Sequence, residues 1–177
     1  VHLVRGELPV ARKLGEELLT LLQRAGDPFA LVGARQVLGA TLFLLGEPAL
    51  AYEHADAGVT VYRRHHARTH LYGREVGVLC QVYGAMALQL LGYPARAGQA
   101  IAEARRLAEE LSDPFSQVIA LAHSAWVHQH RREPVATLEW AEATLTLSRE
   151  QGFPHYETMA TALRGWALAK RAKREEG

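Results

Sequence analysis

The sequence predicts an all-α fold, a repeat solenoid of about four helix hairpins. Three observations predict it. The seven prolines keep a beat, apolar residues recur at helical spacing between them, and small residues return about every 40 positions. Pro9, Pro28, Pro48, Pro94, Pro114, Pro134 and Pro154 are separated by 19, 20, 46, 20, 20 and 20 residues. Proline is tolerated in the first turn of a helix, where its missing N–H would have no intrahelical partner. Each proline therefore opens a helix of about 15 residues followed by a short turn. With 29 alanines and 26 leucines, the composition supports the same reading.

The elements follow in order. The spacing predicts helices near 9–25, 28–45, 48–64, 75–91, 94–111, 114–131, 134–151 and 154–172, with residues 1–5 as the end of an earlier helix. Leu14, Leu18, Leu21 and Leu22 form one apolar face. Val37, Leu38, Leu42 and Leu45 form another, and Leu107 with Leu111 a third. Asp27 and Asp113 stand before prolines as N-caps. No extended run alternates with a period of two, so no strand is expected. The 46-residue interval equals 20 + 26, so one helix start lacks its proline and carries about six extra residues there. The irregular segment is Arg63 to Glu75, RRHHARTHLYGRE.

Two turn classes alternate. One holds GEL-P, GE-P, GY-P and RE-P; the other holds GD-P, SD-P and GF-P. The repeat unit is thus a helix pair, and a fixed period in this range marks a helical solenoid. Gly39, Ala85, Ala125 and Gly165 recur on the first helix of each pair. Ala51, Ala97 and Thr137 follow twelve residues later on the second, with Ala11 matching in the first, incomplete repeat. Small side chains there let paired helices approach closely.

This arrangement resembles the tetratricopeptide repeat in a longer variant, with HEAT-type repeats as the structural alternative. LLGYPARA, SDPFS, QGFPHY and RGWALA, in this order, resemble the C-terminal repeat region of bacterial regulators that combine a class III adenylate/guanylate cyclase domain, a regulatory ATPase domain and a helical region. The resemblance covers Gly6 to about Ala172. LYGREVGVLC resembles the family's long turn, with Glu75-Val76 where Asp-Pro is expected. It implies a non-catalytic, cytoplasmic interaction module, residues 1–177 forming a single repeat domain cut from a longer signalling protein. No phosphate loop of the G-x-x-x-x-G-K-[ST] kind is present, so cyclase or ATPase activity would belong to other parts of such a protein.

The totals narrow the function classes. A net charge of +1 gives no global argument for nucleic acid or anionic membranes. No apolar run approaches the length of a membrane span. The lone Cys80 cannot form an internal disulfide, which fits a reducing cytosol, and it reads as packing rather than a nucleophile.

The right-handed superhelix implied by the resemblance has a concave face lined by first helices. Counting from the small residue, its inward positions are Gln36, Ala40 and Phe43; Val82, Met86 and Gln89; Ala122, Trp126 and Gln129; Ala162, Trp166 and Ala169. Phe43, Met86, Trp126 and Trp166 make an apolar stripe flanked by Gln36, Gln89 and Gln129. It reads as a groove for a protein segment, including another domain of the same chain, with packing between helices as the competing reading. A small apolar effector is the alternative ligand. The inward positions contain no Lys or Arg, against an RNA-binding groove.

Arg63, Arg64, His65, His66, Arg68 and His70 form a second candidate, an anion or phosphorylated-partner contact, against a solvated loop. His123, His128 and His130 share a helix without acidic or thiolate help, so no metal or other cofactor is expected. Ser124 beside these histidines does not make an oriented triad. Self-association through exposed repeat ends, at Val1–Leu3 and near Trp166, is a further expectation.

Overall fold

The computed structural model describes residues 2–3, 5–65, 70–71 and 74–175. The described residues form eight α-helices and one short β ribbon. The helices are α1 (Leu8–Ala25), α2 (Pro28–Leu44), α3 (Pro48–His65), α4 (Val76–Leu90), α5 (Pro94–Leu111), α6 (Pro114–His130), α7 (Pro134–Gln151) and α8 (Pro154–Glu175). Six begin on a proline, and Pro9 is the second residue of α1. Asp27 caps α2 by accepting from the backbone N–H of Phe29 and Ala30, at 2.9 and 3.1 Å. Asp113 caps α6 by accepting from the N–H and the hydroxyl of Ser116, at 2.8 and 2.6 Å. Each cap satisfies orphan donors of the first turn.

The irregular segment departs from the strand-free expectation. β1 (His70–Leu71) pairs antiparallel with β2 (Arg74–Glu75), His70 opposite Glu75 and Leu71 opposite Arg74. Each strand is two residues long, too short to display any alternation in sequence. The ribbon leads directly into α4 at Val76, where six of the other helices have proline.

The first turn class shares one backbone geometry. After α2, Gly46 N–H bonds Phe43 C=O and Glu47 N–H bonds Leu42 C=O. After α4 the same two bonds join Gly92 to Gln89 and Tyr93 to Leu88. After α6 they join Arg132 to Gln129 and Glu133 to His128. This is the Schellman closure, which needs a left-handed residue at its hinge. Gly46 and Gly92 take it with φ of 78° and 83°, and Arg132 with φ of 58° despite its Cβ. Ahead of α1 the same two bonds occur: Gly6 N–H bonds Leu3 C=O and Glu7 N–H bonds His2 C=O.

Contacts divide the chain into two compact units, Val1–Ala100 and Ile101–Gly177, with the boundary inside α5. In the first, α2 packs on α1, α3 and α4, and α3 also packs on α4. Its core comprises three clusters. Leu19, Ala34 and Leu38 form one, Val32, Val76 and Cys80 the second, and Leu42, Ala51 and Ala87 the third. Each fully buried Leu or Val there contributes roughly 1.5–3 kcal/mol. In the second unit α7 packs on α6 and α8, and α6 on α8. Ala125, Ala141 and Leu163 are its centre, with Trp140 and Met159 packed against them.

The small-residue rows sit where helices meet. Ala11, Ala51, Ala85, Ala97, Ala125 and Thr137 are all buried. A Cβ on Gly39 would lie 3.3 Å from the Ala51 carbonyl oxygen and 3.5 Å from the Ala55 nitrogen. Backbone cannot yield as a flexible side chain can, so α2 and α3 are held close by the missing methyl.

Candidate functional site

The first helices of the pairs are α2, α4, α6 and α8, and their stripe residues fall differently in the two units. In the first unit Gln36 and Met86 are buried, at 8 % and 7 % exposure. Phe43 is half-buried, packs on Leu42, Ala51 and Ala87, and meets Tyr83 edge-on at 6.0 Å. The reading of Gln36 and Met86 as groove lining is therefore corrected: both side chains are closed off from solvent. α4 is buried almost all round, from Val76 to Val82 and from Gly84 to Leu88. Gln89 is half-buried, and its Oε1 is shut from water without a hydrogen-bond donor. A buried acceptor left unmade costs free energy.

In the second unit Trp126, Gln129 and Trp166 keep partial exposure. Ala122, Ala125 and Ala167 on the same two helices are buried, at 0 % exposure. The Trp126 indole stacks on His130 at 3.7 Å, and His130 Nδ1–H donates to the Trp126 carbonyl at 3.1 Å. The stack presets the indole's orientation while part of its surface stays open. Since α6 packs on α8, both tryptophans belong to neighbouring first helices.

The three histidines of α6 do separate things. His123 Nδ1–H donates to the Ile119 carbonyl at 2.7 Å. Burial pushes the pKa of His123 down to about 4, against a smaller upward pull from that bond, with nearby His155 lowering it further. The neutral ring is thus favoured at pH 7. His128 pairs with Glu133 at 2.6 Å, closing the turn after α6. Among the described residues no three His, Cys, Asp or Glu gather as a metal site. Ser124 Oγ donates to the Ala120 carbonyl at 2.7 Å and accepts from Arg105 Nη1 at 2.9 Å. Cys80 is buried, and a Cβ on Gly58 would come within 2.6 Å of its sulfur.

One constellation carried no local sequence signal. The Arg105 guanidinium lies 4.2 Å from the Trp140 ring centroid while donating to Ser124. Burial lowers the Arg105 pKa, and Glu109 and Glu139 oppose that shift. Arg105 also edges a cavity of about 170 Å³ with Ala108, Glu109, Gln117, Ala120 and Leu121. Drug-sized ligand sites usually span about 300–1,000 Å³.

In the irregular segment Arg63 and Arg64 are exposed at the end of α3. His66 and Arg68 lie outside the described residues, as do the side chains of His65 and His70. No helix among the described residues is long and apolar enough to cross a membrane. Compared with known proteins, the chain matches no family model and no curated protein.

Proposed function

We propose that the chain is a tetratricopeptide-like interaction module that takes a segment of a partner protein on the first-helix face of its second unit. The observation that carries this reading is the pair Trp126 and Trp166. Both are half-buried and lie on packed neighbouring helices. Tryptophan supplies large contact area at low rotamer cost, so preset aromatics rimmed by an amide suit a peptide or helix. Gln129 provides that amide.

In this reading the module belongs to a bacterial cytoplasmic signalling protein and passes a binding event to domains elsewhere in its chain. The small-effector alternative gains nothing from the α5–α6 cavity, which is below the size of a drug-sized site.

The test is a peptide library selected on the purified chain and counter-screened on Trp126→Ala and Trp166→Ala. Selected peptides are expected to lose at least tenfold in affinity on either variant, while circular dichroism stays unchanged. Peptides that bind both variants as tightly as the parent sink the assignment.

A further inference from the structure

α1 carries two apolar faces. Ala11, Gly15 and Leu19 are buried, and a Cβ on Gly15 would strike Leu38 of α2 at 2.8 Å. The other face, Val10, Leu14, Leu18 and Leu21, is open at 45, 46, 46 and 62 % exposure. Such a row at helical spacing on one helix is an unpartnered packing face.

The repeat shows what covers that face elsewhere. Forty residues on, Leu14 and Leu18 correspond to His54 and Gly58 of α3. His54 Nδ1 accepts from Arg35 Nη1 at 3.3 Å, and a Cβ on Gly58 would be 3.3 Å from the Arg35 Cβ. Both positions therefore abut α2, the first helix of that pair. On α7 the counterpart of Leu18 is Thr144, at 0 % exposure. At the His54, Gly58 and Val61 positions α3 thus closes this face against α2, the first helix that precedes it, while Leu50, the counterpart of Val10, stays 38 % exposed.

The residues ahead of α1 have the character of such a helix's end. Val1–Glu7 reads VHLVRGE and Val127–Glu133, the end of α6 and its turn, reads VHQHRRE. They share Val, His, Arg and Glu in register. The backbone closure is the same in both, from Glu7 to His2 and from Glu133 to His128. So is the side-chain clasp, His2 Nδ1 to Glu7 and His128 Nδ1 to Glu133.

We infer that the Leu14–Leu18–Leu21 face of α1 is the seat of one further helix of the same chain, of the α6 type, whose last turn is His2–Glu7. The inference stands apart from the peptide-binding reading. The helix that fits is apolar where α2 carries Arg35, because Leu14 and Leu18 replace His54 and Gly58. α6 itself meets that condition, with Leu121 at the corresponding position.

The experiment fuses a copy of the Asp113–Trp126 sequence directly ahead of Val1, so that Val1–Glu7 continues it as Val127–Glu133 continues α6. The extended and the 177-residue chains are compared by thermal melting and light scattering, each with and without Leu14→Asp plus Leu18→Asp. Extension is expected to raise Tm by roughly 4 °C or more for a chain of this size. The double substitution is expected to abolish that gain while leaving the 177-residue chain nearly unchanged. An unchanged Tm on extension, or an equal loss in both backgrounds, overturns the inference. So does a dimer of the 177-residue chain that the double substitution dissolves and the extension leaves intact, since a second copy would then be the occupant.

Discussion

The same stripe positions serve opposite ends in the two units. In the first unit Met86 and Gln36 are drawn into the interior, and Phe43 leans on Leu42 and Tyr83. In the second, Trp126 and Trp166 stay half-open while Ala122, Ala125 and Ala167 of the same helices are buried. The difference lies in how much of each first helix its neighbours enclose. α4 buries twelve of its fifteen residues, so its inward positions Val82 and Met86 have no route to solvent. α6 leaves Leu121, Trp126 and Gln129 partly open. A position in a repeat thus fixes direction; the neighbouring helices fix whether that direction ends in water.

The contrast breaks first at Met86. Met86→Ala removes a buried side chain and is expected to cost about 2–4 kcal/mol in urea unfolding. A loss below about 1 kcal/mol would place Met86 on the surface face with the tryptophans. Next comes His123, an anchor under the open stripe of the second unit. Its folded pKa is lowered to about 4 against an ordinary 6.5, so the unfolded chain binds the proton more readily. Its stabilising contribution is therefore complete above pH 6.5 and is lost as pH falls towards 4. The loss is at most about 2–3 kcal/mol, because the residue keeps some exposure. Stability curves of the parent and His123→Gln should converge over that window; parallel curves would contradict it.

Trp126→Ala and Trp166→Ala should each cost less than about 1.5 kcal/mol, since only part of each ring is removed from water. A cost near the 3–5 kcal/mol of a core Trp→Ala would make the two units alike. The smallest effect concerns the turns. Arg132 holds the left-handed hinge that Gly46 and Gly92 hold in the first unit. Arg132→Gly is expected to raise stability by about 0.5–1 kcal/mol, less any gain in unfolded-chain entropy. A melting point that falls would show that the side chain does more than tolerate the turn.

Most of the helical order was legible because each start leaves a chemical trace. Proline, a capping Asp and a small residue twelve positions before Ala51 or Thr137 are local facts, and the observed helix limits fall within a few residues of those expected. The β ribbon was illegible because two-residue strands carry no period. The burial of Met86 was illegible because it depends on what surrounds α4, which the positions of α4 alone do not specify. Arg105, Ser124 and Trp140 come from three helices, and nothing in their spacing announces a guanidinium lying over an indole. Leu14 and Leu18 read as a core face by periodicity, yet the structure leaves them open.

Within each unit, the substantial helix contacts run only to the next helix or the next but one. Such local wiring has a kinetic consequence. Little loop-closure entropy separates any two touching helices, so each pair can form and open largely on its own account. Amide exchange should therefore report a staircase of opening energies along the chain rather than one global value. α1, packed on one face and open on the other, is expected to exchange ahead of α3. A ligand seated on α6 and α8 would slow exchange there first, leaving the rate at α1 nearly unchanged.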